Sequence, residues 1–154
     1  MESPKSLKLV YIPFFTLISL IAISILLQFI PYYKTVIKVE LPDSYVKWIF
    51  CGLNFLFAAF YEEVIYRFYA PKSLKYILIR FAPEKVSILV SEIITCALFS
   101  FAHLQNGLLA VLNAAFAYIL LRLCIEKTGS IWITAFVHFL YNIAQLVLVT
   151  LVNL

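Results

Sequence analysis

Five stretches of this chain, near residues 8–30, 46–69, 86–104, 107–125 and 131–153, are apolar over close to the roughly 20 residues that a helix needs to cross the hydrocarbon core of a bilayer. In lipid every backbone N–H and C=O must find a partner within the protein, so only helices and closed barrels can span. The period-2 alternation of a barrel strand is absent, and with 3 Gly and 6 Pro among 154 residues there is little material for long loops. Helices follow. With 64% hydrophobic and 13% charged residues and a mean hydropathy of +1.00, the chain lies far from soluble composition. The expected fold is all-α, a polytopic membrane helical bundle of about five transmembrane helices.

The breaks between segments have local causes: Pro31 and Pro42-Asp43-Ser44, then Pro71 and Pro83, then Asn106-Gly107, then Thr128-Gly129-Ser130, where Ser130 suits a helix N-cap. No linker or repeat divides the chain, so residues 1–154 are expected to form one domain. The first apolar run, Leu9 to Ile30, exceeds the core of a signal peptide and reads as a retained span. Residues 73–81 mix basic and apolar side chains and are too short to cross; they suit either the membrane interface or an ordinary loop helix. Cys51, Cys96 and Cys124 fall in separate apolar segments without metal spacing and read as small buried hydrophobes.

With the N-terminus in the cytoplasm, Lys5, Lys8, Arg67, Lys72, Lys75, Arg80, Lys85, Arg122 and Lys127 lie inside and Lys34, Lys38 and Lys47 outside. The positive-inside rule favours that orientation, in a cell membrane. The net charge of +4 is this asymmetry and calls for no nucleic-acid partner.

Against this background Glu62, Glu63 and Arg67 stand out, because a charge near the bilayer centre costs at least ~2.5 kcal/mol and such groups usually face a bundle interior with a task there. Glu63 and Arg67 are i, i+4 neighbours, acid first, which favours an ion pair. Glu62 is rotated by ~100° and left without that partner, free to take a proton from water and return it. The only two histidines, His103 and His138, are also in apolar segments. Phe99 and His103 share a helical face, as do His138 and Asn142, and the last two could hold a developing oxyanion. Each histidine taken singly also fits a polar group that merely bonds a neighbouring helix. Counting residues along the hairpins puts His103 on the order of 10–15 Å from Glu62 and His138, so these groups meet only if a helix tilts or the third segment stops short.

Glu62-Glu63-Val64-Ile65-Tyr66-Arg67 fits EExxxR, Phe99 to His103 fits FxxxH, and His138 to Asn142 fits HxxxN. In this order the motifs resemble the type II CAAX prenyl endopeptidase and bacteriocin-processing family, also called the abortive-infection family. Gly129-Ser130-Ile131-Trp132 looks like the family's approach to the last motif. Phe68 and Ala114, Ala115 and Ala117 stand where the family often has glycine.

The resemblance implies an intramembrane glutamate protease without metal or other cofactor. Residues 46–154 would be a four-helix catalytic core and residues 1–45 an extra span and loop. Glu62 and His103 would activate water, His138 and Asn142 would form the oxyanion hole, and Glu63, Arg67 and Phe99 would support them. The partners implied are membrane lipid and a peptide or protein substrate, with prenylated proteins and leader peptides as candidates. Two other readings stay open: a non-catalytic immunity or scaffold protein of the same ancestry, and a zinc peptidase using Glu62, His103 and His138.

Overall fold

The computed structural model describes residues 4–30 and 41–152. They form α1 (Pro4–Gln28), α2 (Tyr45–Glu62), a π-helical segment (Glu63–Tyr69), α3 (Ala70–Leu78), α4 (Glu84–Phe101), a 3₁₀ turn (Leu104–Asn106), α5 (Leu108–Thr128) and α6 (Ile131–Val152). The described residues contain no strand. Among the described residues four helical stretches are long and apolar enough to cross a membrane: Leu9–Gln28, Tyr45–Leu78, Leu108–Thr128 and Ile131–Leu148. The expected third span, now α4, is not among them, because its 18 residues include Glu84, Lys85 and Glu92. Pro31, Lys34 and Lys38 lie outside the described residues.

Helix boundaries follow local chemistry. Ser44 accepts from the Lys47 amide to open α2, and Asp43 pairs with Lys47 at 2.8 Å. Ser130 caps α6 through the Ile133 amide, as its position suggested. Gly129, at φ +69°, supplies the left-handed residue that ends α5 and gives its amide to the Ile125 carbonyl.

The expected stop at Pro71 does not occur: the helix from Tyr45 runs to Leu78. A proline inside an α-helix withholds the amide owed to the carbonyl four residues back and crowds it with its ring. Here the turn before Pro71 widens to π winding, with the Ala70 amide bonding the Ile65 carbonyl five residues back. Residues 73–81 are accordingly the end of this helix and the turn after it. α3 packs against α4.

α5 lies at the centre, touching α1, α4 and α6, while α2 packs on α6. One core cluster gathers Leu20 of α1, Ala117 and Leu121 of α5, and Val137 and Tyr141 of α6. Small residues bring the helices close: α4 turns Ser87, Ser91 and Thr95 inward, one turn apart, in line with Phe99. The hydroxyls of Ser91 and Thr95 are satisfied by backbone carbonyls of their own helix. Ala114 and Ala117 are buried in the same manner. The three cysteines are free thiols, Cys124 fully buried.

Candidate active site

The site forms where the π-helical segment meets α4, α5 and α6. Glu63 and Arg67 are 0% and 2% exposed, and Arg67 Nη1 lies 3.4 Å from Glu63 Oε1, the ion pair expected from their spacing. Among the described residues the guanidinium makes no hydrogen bond. It is held instead over the Phe99 ring, 4.0 Å from the centroid, with Tyr118 at 5.2 Å. Buried positive charge is thus balanced by one carboxylate and two aromatic faces.

His138, buried on α6, joins the two acids. Its Nδ1 is 2.8 Å from Glu63 Oε1 and its Nε2 is 3.6 Å from Glu62 Oε2. A carboxylate beside Arg67 accepts, so Nδ1–H donates to Glu63, and Nε2 is left facing Glu62. Glu62 makes no ion pair with Arg67 among the described residues and instead lies near the other nitrogen of His138. The two acids take opposite nitrogens of one imidazole. They differ in exposure: the Glu62 side chain is 26% exposed, that of Glu63 fully buried. At 3.6 Å the Glu62 contact is too long to satisfy either group, so both remain available to a third molecule.

His103 comes into the same neighbourhood because α4 stops at Phe101. It sits at the start of the 3₁₀ turn, where its Nδ1 is 2.9 Å from the Phe99 carbonyl. A carbonyl only accepts, so Nδ1 carries the proton and Nε2 is the ring's open position. The Phe99 ring lies between the two imidazoles, 5.0 Å from His103 and 6.4 Å from His138, and Tyr66 packs on it at 5.2 Å. Phe99 therefore connects all three motifs. Asn142, half-buried one turn beyond His138, makes no side-chain hydrogen bond among the described residues.

Among the described residues no three His, Cys, Asp or Glu side chains are grouped to hold a metal ion. The donor set expected for zinc is thus not assembled, and Glu62 and Glu63 approach His138 from opposite sides of its ring.

A second polar group was not anticipated. Glu92 accepts from Tyr118 Oη at 2.8 Å and from Arg122 Nε at 2.9 Å, and Arg122 Nη2 approaches it to 2.6 Å. Arg122 also reaches Glu126 at 3.4 Å and donates Nη1 to the Arg67 carbonyl at 3.4 Å. The signal was present in the sequence, since Glu92 is a lone acid in an apolar run, as conspicuous there as the pair Glu62 and Glu63. A cavity of about 490 Å³ lies beside this group, lined in part by Val64, Phe68, Pro71, Lys72 and Ile131. It adjoins the glutamate–histidine cluster through Arg67 without including Glu62 or His138. Phe68 forms a wall of this cavity, with the Lys72 ammonium over its ring at 4.1 Å.

No match to the chain is found among curated proteins or among solved structures. The family model of the Rce1-like type II CAAX prenyl endopeptidases matches residues 44–144, from the cap of α2 to just beyond Asn142, and so takes in all three motifs while leaving α1 outside. The chain, two thirds of it matched, belongs to the type II CAAX prenyl endopeptidase Rce1-like family of membrane proteases.

Proposed function

We propose that this protein is an intramembrane glutamate endopeptidase that hydrolyses a peptide bond in or near the bilayer, with Glu62 as the base. The observation that carries the reading is the approach of two adjacent glutamates to opposite nitrogens of one buried imidazole, with only Glu62 partly open. Glu62 takes a proton from water as the oxygen attacks the peptide carbonyl carbon. His103 Nε2 accompanies it on that water. The carbonyl oxygen becomes an oxyanion, and Asn142 Nδ2–H and a protonated His138 Nε2 donate to it. The C–N bond then breaks and the proton held by Glu62 passes to the leaving nitrogen. Glu63 holds His138 by Nδ1 throughout, and Arg67 balances its charge.

The orientation proposed has the N-terminus in the cytoplasm of a cell membrane. Tyr11 and Ile12, early in α1, border a cavity of about 270 Å³ with Lys127, so the start of α1 is at the end of the bundle where α5 finishes. The substrate class is a peptide or protein reaching the site from the membrane.

The test is cleavage of a reporter peptide in liposomes with a chelator present. Wild-type protein cleaves, and Glu62→Gln keeps its thermal stability but loses turnover, since an amide retains the shape and cannot act as base. Undiminished cleavage by Glu62→Gln would overturn the assignment.

A further inference from the structure

Pro71 has no amide, so the Arg67 carbonyl lacks the donor that an uninterrupted α-helix would supply from position 71. That carbonyl lies inside the π-helical segment, in the same seven residues as Glu63 and directly after Glu62. The donor that approaches it comes from elsewhere in the chain, 55 residues on: Arg122 Nη1 at 3.4 Å. The remaining nitrogens of the guanidinium are fixed by Glu92, which Tyr118 holds from its other oxygen. A planar fork can serve a carboxylate with one edge and a carbonyl with another; an ammonium cannot.

We propose that Arg122 is a positioning residue that occupies the carbonyl left open by Pro71 and so locks the π-helical turn that sets Glu62 and Glu63 against His138. π winding is rare and persists where something holds it. Without Arg122 the carbonyl of Arg67 loses the side-chain donor that approaches it, and the turn relaxes. Glu63 then shifts on His138, and Glu62 shifts with it. The kinetic part of this proposal rests on the endopeptidase reading; the structural part does not.

The experiment is a double-mutant cycle between Arg122→Lys and Pro71→Ala in full-length protein in detergent. Lysine keeps the charge opposite Glu92 and cannot also reach the carbonyl. Alanine in place of Pro71 restores an amide, so the carbonyl no longer depends on Arg122. Arg122→Lys lowers Tm by about 2–4 °C more in the wild-type background than in the Pro71→Ala background, the size of one hydrogen bond in a chain this long. In the wild-type background it also lowers turnover per folded molecule roughly 10- to 100-fold at unchanged KM, as displacement of catalytic groups does. Equal Tm losses in both backgrounds overturn the proposal and leave Arg122 as an ion-pair partner of Glu92 and Glu126 alone. Unequal losses in a protein that, with Arg122 and Pro71 intact, cleaves no reporter sink the endopeptidase reading and leave the lock standing. Should Arg122→Lys not fold, Arg122→Gln combined with Glu92→Gln removes the ion pair with charge in balance and is compared in the same two backgrounds.

Discussion

Replacing Glu63 by glutamine is the sharpest test of how the buried charges are held. The carboxylate is wholly inaccessible and is the only anion in contact with Arg67 among the described residues. The amide keeps the shape, and its carbonyl oxygen can still accept from His138 Nδ1; what disappears is one negative charge. Removing one partner of a buried ion pair costs ~3–5 kcal/mol, because the other charge stays buried without compensation. The contacts of Arg67 with Phe99 and Tyr118 survive the substitution and place the loss at the lower end. A loss of about 3 kcal/mol in a chain of this size lowers Tm by about 6–12 °C. Thermal unfolding in a fixed detergent, followed by tryptophan fluorescence or by aggregation, measures it. The pair Glu63→Gln with Arg67→Met removes both charges and recovers at least half of that loss, since buried ion pairs are often replaceable by apolar groups of similar volume. A Glu63→Gln protein as stable as wild type would refute the reasoning, and so would a double variant no more stable than the single one.

Two further outcomes are expected. His103→Asn keeps an N–H in the place of Nδ1 for the Phe99 carbonyl and loses the Nε2 position, so turnover falls while Tm holds to within about 2–4 °C, the worth of one hydrogen bond; normal turnover of this variant would remove His103 from the attacking water. Asn142→Ala lowers turnover per folded molecule ~100- to 1000-fold with little change in substrate binding, as loss of one oxyanion donor does; a rate within a few-fold of wild type would take the role from it.

The helices are legible in the sequence because apolar runs report burial in lipid directly, and the Glu63–Arg67 pair because four-residue spacing reports proximity on one helix. The course of the chain through Pro71 is not legible. The local rule for proline predicts a break, and the donor near the Arg67 carbonyl is on a different helix. The charge of Arg122 alone places it at the cytoplasmic end, whereas its hydrogen bonds run to Glu92 and to the π-helical segment. The approach of His103 escapes the sequence for a related reason. Counting along hairpins treats each segment as a full crossing, but α4 ends at Phe101, and the hydrogen bond of His103 to the Phe99 carbonyl folds its ring back beside Phe99.

The division of labour between the two glutamates shows most clearly what spacing alone leaves open. From helical rotation the distinction is paired against unpaired, yet both acids address His138. What separates them is access. Glu63 is sealed between Arg67 and the imidazole, where giving up its charge would leave a guanidinium unbalanced. Glu62 is a quarter exposed, and its 3.6 Å approach to Nε2 is loose enough for a substrate oxygen to take up the same ring position. An acid that must gain and lose a proton in every cycle needs such access, and an acid that fixes an imidazole needs its absence. In the proposed mechanism the two neighbouring residues meet opposite demands, since adjacent positions on a helix face ~100° apart and only Glu62 turns toward open space.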